Sequence, residues 1–587
     1  MARSKNSKTL SVVMCGLLMS CLGLQAQSWQ WTKRGGGTND VDVNLPSFRS
    51  EEVFSIVSDS EKNIYVLSSL GRISPQIEGV SITTYNDVTS SNDLVLASFS
   101  CSGELRWTKV FGGSGRERLG ELAIDASGNV YVAGSFNSCD PINQKPARIG
   151  TDYIFDQTQS SCSPHFIAKF SSDGDFLWIR RPQENRNAQI SLGQNATQGG
   201  LEIDSQGNLY WFMICGSGVS YADGAFVNNS DSWAFVVFKY DTEGNFLSAT
   251  PLEGVVHTVG GGSFYRNPYN GYFYITGNDN ANSSPIIYGG EVMSHTSFIA
   301  CFNEQGQFQW MRQDTATPPP GNMINFYGLE FDSENNIYTG GRFVGGNLTS
   351  FLGVTNTGVG VGFIMKLNPT ADQVIWYSLS NRNTEGYGAL TSTPTEVVWG
   401  GYSFQNITWS GLSQTIGPPG NGTRPTVVTF NKSTGAATSI IHMPAVVGST
   451  GLVTKIAFDA SGDMLVGGRF TGTLTPTATV SVPGYGGNSD FFLAKWATEV
   501  CSPLETESFD RSELFEIGSN PVTDVLLLRT TQNLGYELRN IHGSVVQSGS
   551  LAAGSHQLNC SSLASGIYLL KATNEQGQTS IRKVVVE

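Results

Sequence analysis

The chain has 587 residues, 14 % of them charged, and a net charge of -14. That length is too great for one hydrophobic core and calls for two or more domains. The acidic balance excludes a nucleic-acid partner, because no basic stripe is available to displace phosphate counterions. Sixty-eight glycines and 11 % aromatics fit a turn-rich all-β chain.

At the N-terminus Arg3, Lys5 and Lys8 precede an apolar run over 10–24 that is too short to span a bilayer. This is the pattern of a signal peptide over 1–26, with cleavage after Ala26. A rival lipoprotein signal would end at Cys21, but Met19 fits it poorly. Beyond Cys15 and Cys21 seven cysteines remain, an odd number that cannot pair fully within one chain. Cys139 and Cys162 flank one long loop and are candidates for a bridge in an oxidising compartment. No C-x-x-C spacing occurs, so no metal and no cofactor is expected.

From residue 59 the chain repeats itself. D-A-S-G-N-V-Y-V-A-G at 125–134 recurs from Asp204, Asp332 and Asp459, and more weakly from Asp59. The later gaps are about twice the earlier ones. Degenerate copies fill them, at Asn267 to Gly277 and at Thr393 to Gly401, giving about 67 residues per repeat. A second motif alternates with the first, as in Asp93 to Trp107: an alternating strand, a turn at Gly103 and a second strand, which is a β-hairpin. Copies lead to Trp178, Phe246, Trp310 and Trp376, and a sixth starts at Thr426. Each repeat thus supplies four strands, the makings of a propeller blade.

The ends of the array set the count. The run from Asp490 to Trp496 begins a hairpin whose second strand never follows. W-Q-W-T-K-R-G-G at 29–36 is a second strand without a first. Together they complete one blade beside six whole ones. The expected architecture over 27–498 is a seven-bladed β-propeller closed by strands from both ends, with surplus residues in loops over 137–164, 183–198 and 403–423. The array resembles the SBBP-type beta-propeller repeat family of exported bacterial proteins, a resemblance that implies the fold and little about function.

A polar, acidic linker is expected over 499–516, and a small Ig-like β-sandwich over 517–587. That segment opens with N-P-V-T-D, placing Asn520, Pro521 and Asp524. It continues with Y-E-L-R-N-I-H-G, placing Gly543, then L-A-S-G-I-Y-L-L-K, placing Gly566 and Tyr568, and ends with Lys583 before a valine strand. These motifs closely resemble the C-terminal sorting domain of the type IX secretion system of Bacteroidota. The resemblance implies recognition by the type IX translocon and removal by its C-terminal-domain peptidase. It also implies attachment of the mature protein to surface lipopolysaccharide.

No catalytic motif stands out. The Asp-x-x-Gly-Asn repeats suit tight hairpin turns better than calcium. The six histidines form no metal or triad pattern, and the recurring tryptophans suit packing between blades. The one irregular stretch rich in aromatics and amides is 264–272. Its Tyr265, Arg266, Tyr269 and Asn270 are the candidate ligand contacts, through stacking on a sugar face. The leading expectation is a secreted or surface-attached, non-catalytic glycan- or protein-binding module of adhesin type. The alternatives are a polysaccharide-degrading enzyme and a structural surface component.

Overall fold

The computed structural model describes residues 27–38, 51–85, 92–113, 118–136, 146–155, 165–181, 200–231, 233–254, 260–278, 287–315, 323–344, 349–355, 361–381, 384–404, 406–416, 422–499, 501, 514–518, 520–540, 543–576 and 578–586. The expected signal peptide, Cys139, Cys162 and most of the linker lie outside them. The described residues form strands and turns, and no helix long and apolar enough to cross a membrane occurs among them. The chain divides into two compact units, with the boundary between Cys501 and Ser502.

The first unit contains seven antiparallel sheets, each with a core of four strands. In chain order their first strands are Val53–Ser58, Arg118–Ile124, Leu201–Ile203, Gly260–Arg266, Met323–Phe331, Thr384–Ser392 and Thr450–Phe458. Sheets one to six take all four strands from consecutive sequence. Sheet seven takes three from its own repeat and its fourth, Ser28–Gly36, from the start of the chain, paired with Asp490–Ala497.

The second strands are buried on both faces. Ile64–Leu70 and Leu209–Cys215 are sealed along their whole length, so they read as near-continuous apolar runs. The fourth strands, such as Phe246–Pro251, are half exposed. In the Asp turn, Asp125 accepts the backbone N–H groups of Ser127 and Asn129 at 2.9 Å each, the Asn129 amide at 2.9 Å and the Tyr131 hydroxyl at 2.8 Å. Gly128 takes the positive φ of +80° that the turn needs. The same set forms around Asp204 and Asp332. A lysine from the third strand completes it: Lys366 on Asp332 at 3.1 Å, and Lys495 on Asp459 at 2.7 Å with both side chains sealed from water.

Neighbouring sheets are joined by the tryptophans. The indole N–H of Trp107 donates to the Ser172 carbonyl of the next sheet, Trp178 to Thr242 and Trp376 to Lys432, at 3.0–3.1 Å. Trp31 of sheet seven donates to Cys101 of sheet one at 3.1 Å. Where the Trp107 ring lies on the following turn, a β-carbon at Gly174 would stand 2.7 Å from it. Sheets seven and one also meet at their first strands, where the Thr454 hydroxyl donates to the Val53 carbonyl at 2.6 Å.

One expectation needs correction. The surplus in each repeat is not all loop. A two-strand hairpin sits between the second and third strands of every sheet, for example Gln76–Ile77 with Val80–Ser81 and Asn406–Trp409 with Leu412–Thr415. Several of these hairpins pair back to the preceding sheet, as Arg148–Ile149 does to Leu105–Gly112 and Trp409 does to Ser380. The isolated dipeptide strands are too short to show a period, which is why they read as loop. The expected Cys139–Cys162 bridge lies outside the described residues. Cys101 is bonded to Cys501 across 400 residues, while Cys215, Cys301 and Cys560 are free and buried.

The second unit is a two-sheet sandwich. One sheet holds Phe515–Ile517, Val525–Thr530 and Gly554–Asn559. The other holds Val545–Leu551, Leu534–Asn540, Gly566–Asn574 and Thr579–Val586. Leu514 and Phe515, placed in the linker by sequence, are buried in its core beside Leu526, Leu538 and Leu570.

Candidate functional site

The first strand of each sheet in the first unit runs into the Asp turn. Side chains two and four residues before the turn position share one face of that strand. Six of the seven strands carry a register shift near these positions, at 53/55, 118/121, 260/262, 326/328, 386/389 and 453/455. Such bulges re-aim side chains and are enriched beside functional sites.

Polar groups from different sheets meet along these strands. Ser55 of sheet one donates to Glu121 of sheet two at 3.0 Å, and Lys455 of sheet seven approaches the same carboxylate at 3.8 Å. Ser392 of sheet six donates to Glu330 of sheet five at 2.9 Å. Burial pushes the Glu202 carboxyl of sheet three up to about 8, and the charges of Glu121 and Glu330 reinforce it. Arg266 and Lys455 oppose the shift. Burial likewise raises Glu330 to about 7 against the pull of Ser392 and Lys432. Both glutamates are surrounded by protein yet keep partial water contact. Seven sheets thus bring three carboxylates (Glu121, Glu202 and Glu330), the cations Arg266 and Lys455, and the hydroxyls of Ser55 and Ser392 into one interacting group.

The candidate contacts read from the sequence divide. Tyr265 belongs to this group: it is 9 % exposed, and its hydroxyl ionisation is raised by burial and by Glu121, Glu330 and Glu202. Its hydroxyl lies beside Ser263 without reaching hydrogen-bond geometry and has no partner among the described residues. The Arg266 guanidinium lies over the Tyr210 ring of sheet three at 4.2 Å. Tyr269 stands instead in the turn beyond the strand, 56 % exposed, its N–H on the Asn267 side chain. Asn270 accepts the Tyr272 N–H at 2.9 Å. Sequence reasoning missed Glu121, Glu202, Glu330 and Lys455. The available signal was their placement two or four residues before the repeated Asp.

In the second unit the motif residues tie the two ends of the sandwich together. Asn520 accepts the Val585 N–H at 2.8 Å and donates to the Lys583 carbonyl at 2.7 Å; the bond from Asn520 to Pro521 is cis. The Asp524 carbonyl accepts the Cys560 N–H. Gly543 closes a turn at φ +81°, and its carbonyl receives Arg539 at 2.9 Å. Gly566 pairs with Val586, the Tyr568 hydroxyl donates to the Ala564 carbonyl at 2.8 Å, and Lys583 pairs with Leu569 and is exposed.

Residues 519–587 match the family described as the secretion system C-terminal sorting domain. The chain therefore carries a type IX sorting tail, which marks it for export to the outer surface or the medium and for interaction with that secretion system. No curated protein matches the chain. Among solved structures it is similar to a protein of unknown function from Dyadobacter fermentans, at 10 % identity over 79 % of this chain and 98 % of that one, with a TM-score of 0.34. It is similar to BamB from Moraxella catarrhalis at 11 % identity, over 80 % and 97 %, with a TM-score of 0.29. It is also similar to PorZ, a bacterial surface component of the type IX secretion system of Porphyromonas gingivalis, at 10 % identity over 91 % and 81 %, with a TM-score of 0.22.

Proposed function

We propose that residues 27–498 form a closed seven-bladed propeller of SBBP type that acts outside the cell as a non-catalytic binding module for a glycan or a protein. A signal peptide over 1–26 takes it to the periplasm. The sorting domain over 517–587 then hands it to the type IX translocon and is removed by the associated peptidase, and the mature protein joins surface lipopolysaccharide. The observation that carries the binding reading is the group of polar side chains drawn from different sheets onto the first strands. Glu121, Glu202, Arg266, Glu330 and Lys455 offer both charge signs, and the Tyr265 hydroxyl lies buried beside Ser263 among them. A hydroxyl-rich ligand suits such a lining, because each of its groups can donate to a carboxylate or accept from a cation. The exposed Tyr269 adds a separate stacking surface.

One observation favours a second reading. Burial pushes the Glu202 and Glu330 carboxyls up to about 8 and about 7, toward the protonated state that a general acid in glycoside cleavage needs. The test measures retention and fragment release together, with the full chain on a panel of polysaccharides and glycoproteins. Saturable binding without fragments, weakened in Arg266→Ala, supports the binding module. Fragments that disappear in Glu202→Gln or Glu330→Gln make the protein an enzyme. Absence of both signals overturns the glycan reading.

A further inference from the structure

We propose that the Cys101–Cys501 disulfide is the clasp of the seam where the two ends of the first unit meet, and that the processed protein retains Cys501. The proposal rests on the closed-ring reading above. The seam is unlike the other junctions. Every other sheet is covalently continuous through all four strands, but sheet seven is held to its fourth strand by hydrogen bonds and side chains alone. Those contacts are the edge-on pair Trp29–Trp496 at 5.0 Å, Gln30 on the Ala497 carbonyl at 2.7 Å and Trp496 on the Gln27 side chain at 3.1 Å. A terminal strand so held can peel from its free end without disturbing the rest of the sheet.

Cys101 stands where this peeling would begin to matter. Its carbonyl accepts the Trp31 indole N–H, the same service that Ser172, Thr242 and Lys432 give their tryptophans at the other junctions. Only at the seam does this position carry a cysteine bonded to a distant one. Its partner Cys501 lies four residues past the strand Asp490–Ala497. One residue therefore receives the incoming N-terminal strand through its backbone and fixes the outgoing C-terminal end through its sulfur. The covalent loop spans 400 residues, so it restricts the unfolded chain strongly.

This position bears on processing. The compact first unit ends at Cys501. A cut before Cys501 would leave the tail tethered to Cys101 through the disulfide, to be shed only by exchange with an added thiol reductant; a cut after it frees the tail and leaves a mature unit whose closure no longer depends on it. The exported, tail-free protein should be isolated from the producing cells, digested without reduction and mapped by mass spectrometry. The expected result is a disulfide-linked pair of peptides containing Cys101 and Cys501. A mature chain that ends before Cys501, or a free Cys101 thiol, overturns the proposal. The full chains carrying Cys101→Ser, Cys501→Ser and both are then melted. All three should fall together, by about 5 °C or more, with the first proteolytic cuts after Lys33 or Arg34. Should a variant fail to accumulate, mild thiol reduction of the folded wild type should give the same lowering. An intact disulfide whose loss leaves melting and proteolysis unchanged overturns the clasp while leaving the ligand reading untouched, since that reading is measured by binding.

Discussion

Two carboxylates in each of two sheets stand two residues apart and behave oppositely. Asp204 and Asp332 lie in the repeated turns. Burial works against their charge, but hydrogen bonds from Asn208 and Tyr210, and from Asn336, Lys366 and Tyr338, hold both below their ordinary values. Glu202 and Glu330 sit one step back along the same strands, and burial with few compensating partners holds them well above theirs. The difference is one of satisfied lone pairs. The turn surrounds its carboxylate with donors from the next six residues, joined at Asp332 by Lys366. The strand face leaves its carboxylate to whatever the neighbouring sheets supply. The turn aspartates are therefore framework, and the glutamates are the groups left able to answer a ligand.

The largest test of the framework removes residues 29–37. Sheet seven then loses its fourth strand, and the first unit is expected to lose cooperative melting by circular dichroism; an unchanged transition would break the closure reading. Next is Lys495→Ala, which leaves the sealed Asp459 carboxylate with only the N–H groups of Ser461 and Asp463, and removes the cation that Asp459 shares with Asp463. A loss of about 3–5 kcal/mol is expected in urea unfolding.

The glutamates should reveal themselves through pH. Their folded values of about 8 and about 7 exceed the ordinary 4.5, so between those limits the folded state keeps protons that the unfolded state releases. Their favourable contribution is complete below about pH 4.5 and is lost as pH rises through 7 to 8. The turn aspartates act in reverse, losing their contribution as pH falls below about 3.8. Glu202→Gln should therefore be stabilising by roughly 1–3 kcal/mol at pH 8 and near neutral at pH 5, read as the pH dependence of the unfolding midpoint. The smallest effect is expected from Tyr269→Ala, within about 0.5 kcal/mol of wild-type stability. Any consequence of that change belongs to ligand affinity, measured by titration.

The turns were legible because their chemistry is local. Asp, Gly, Asn and Tyr within seven residues satisfy one another, and the pattern survives each time the turn is made. The sheet-to-sheet tryptophans were legible for the same reason, recurring at one offset from a glycine. Glu121, Glu202 and Lys455 were not, because none belongs to a local motif and the meaning of each comes from sheets tens to hundreds of residues away. The pairing of Cys101 with Cys501 was hidden likewise, since nothing near either cysteine names the other. The stretch 264–272 suggested one surface patch. The strand ending at Arg266 separates it, sending Tyr265 inward and leaving Tyr269 outside in the turn.

The strand Ser28–Gly36 is made before its partner Asp490–Ala497 and must wait for it across most of the first unit. Until those residues arrive, its two tryptophans have no sheet to join and sheet one has no neighbour on one side. Domain completion is thus postponed until nearly the whole chain is available. A chain truncated before Asp490 would lack the strand that Ser28–Gly36 pairs with.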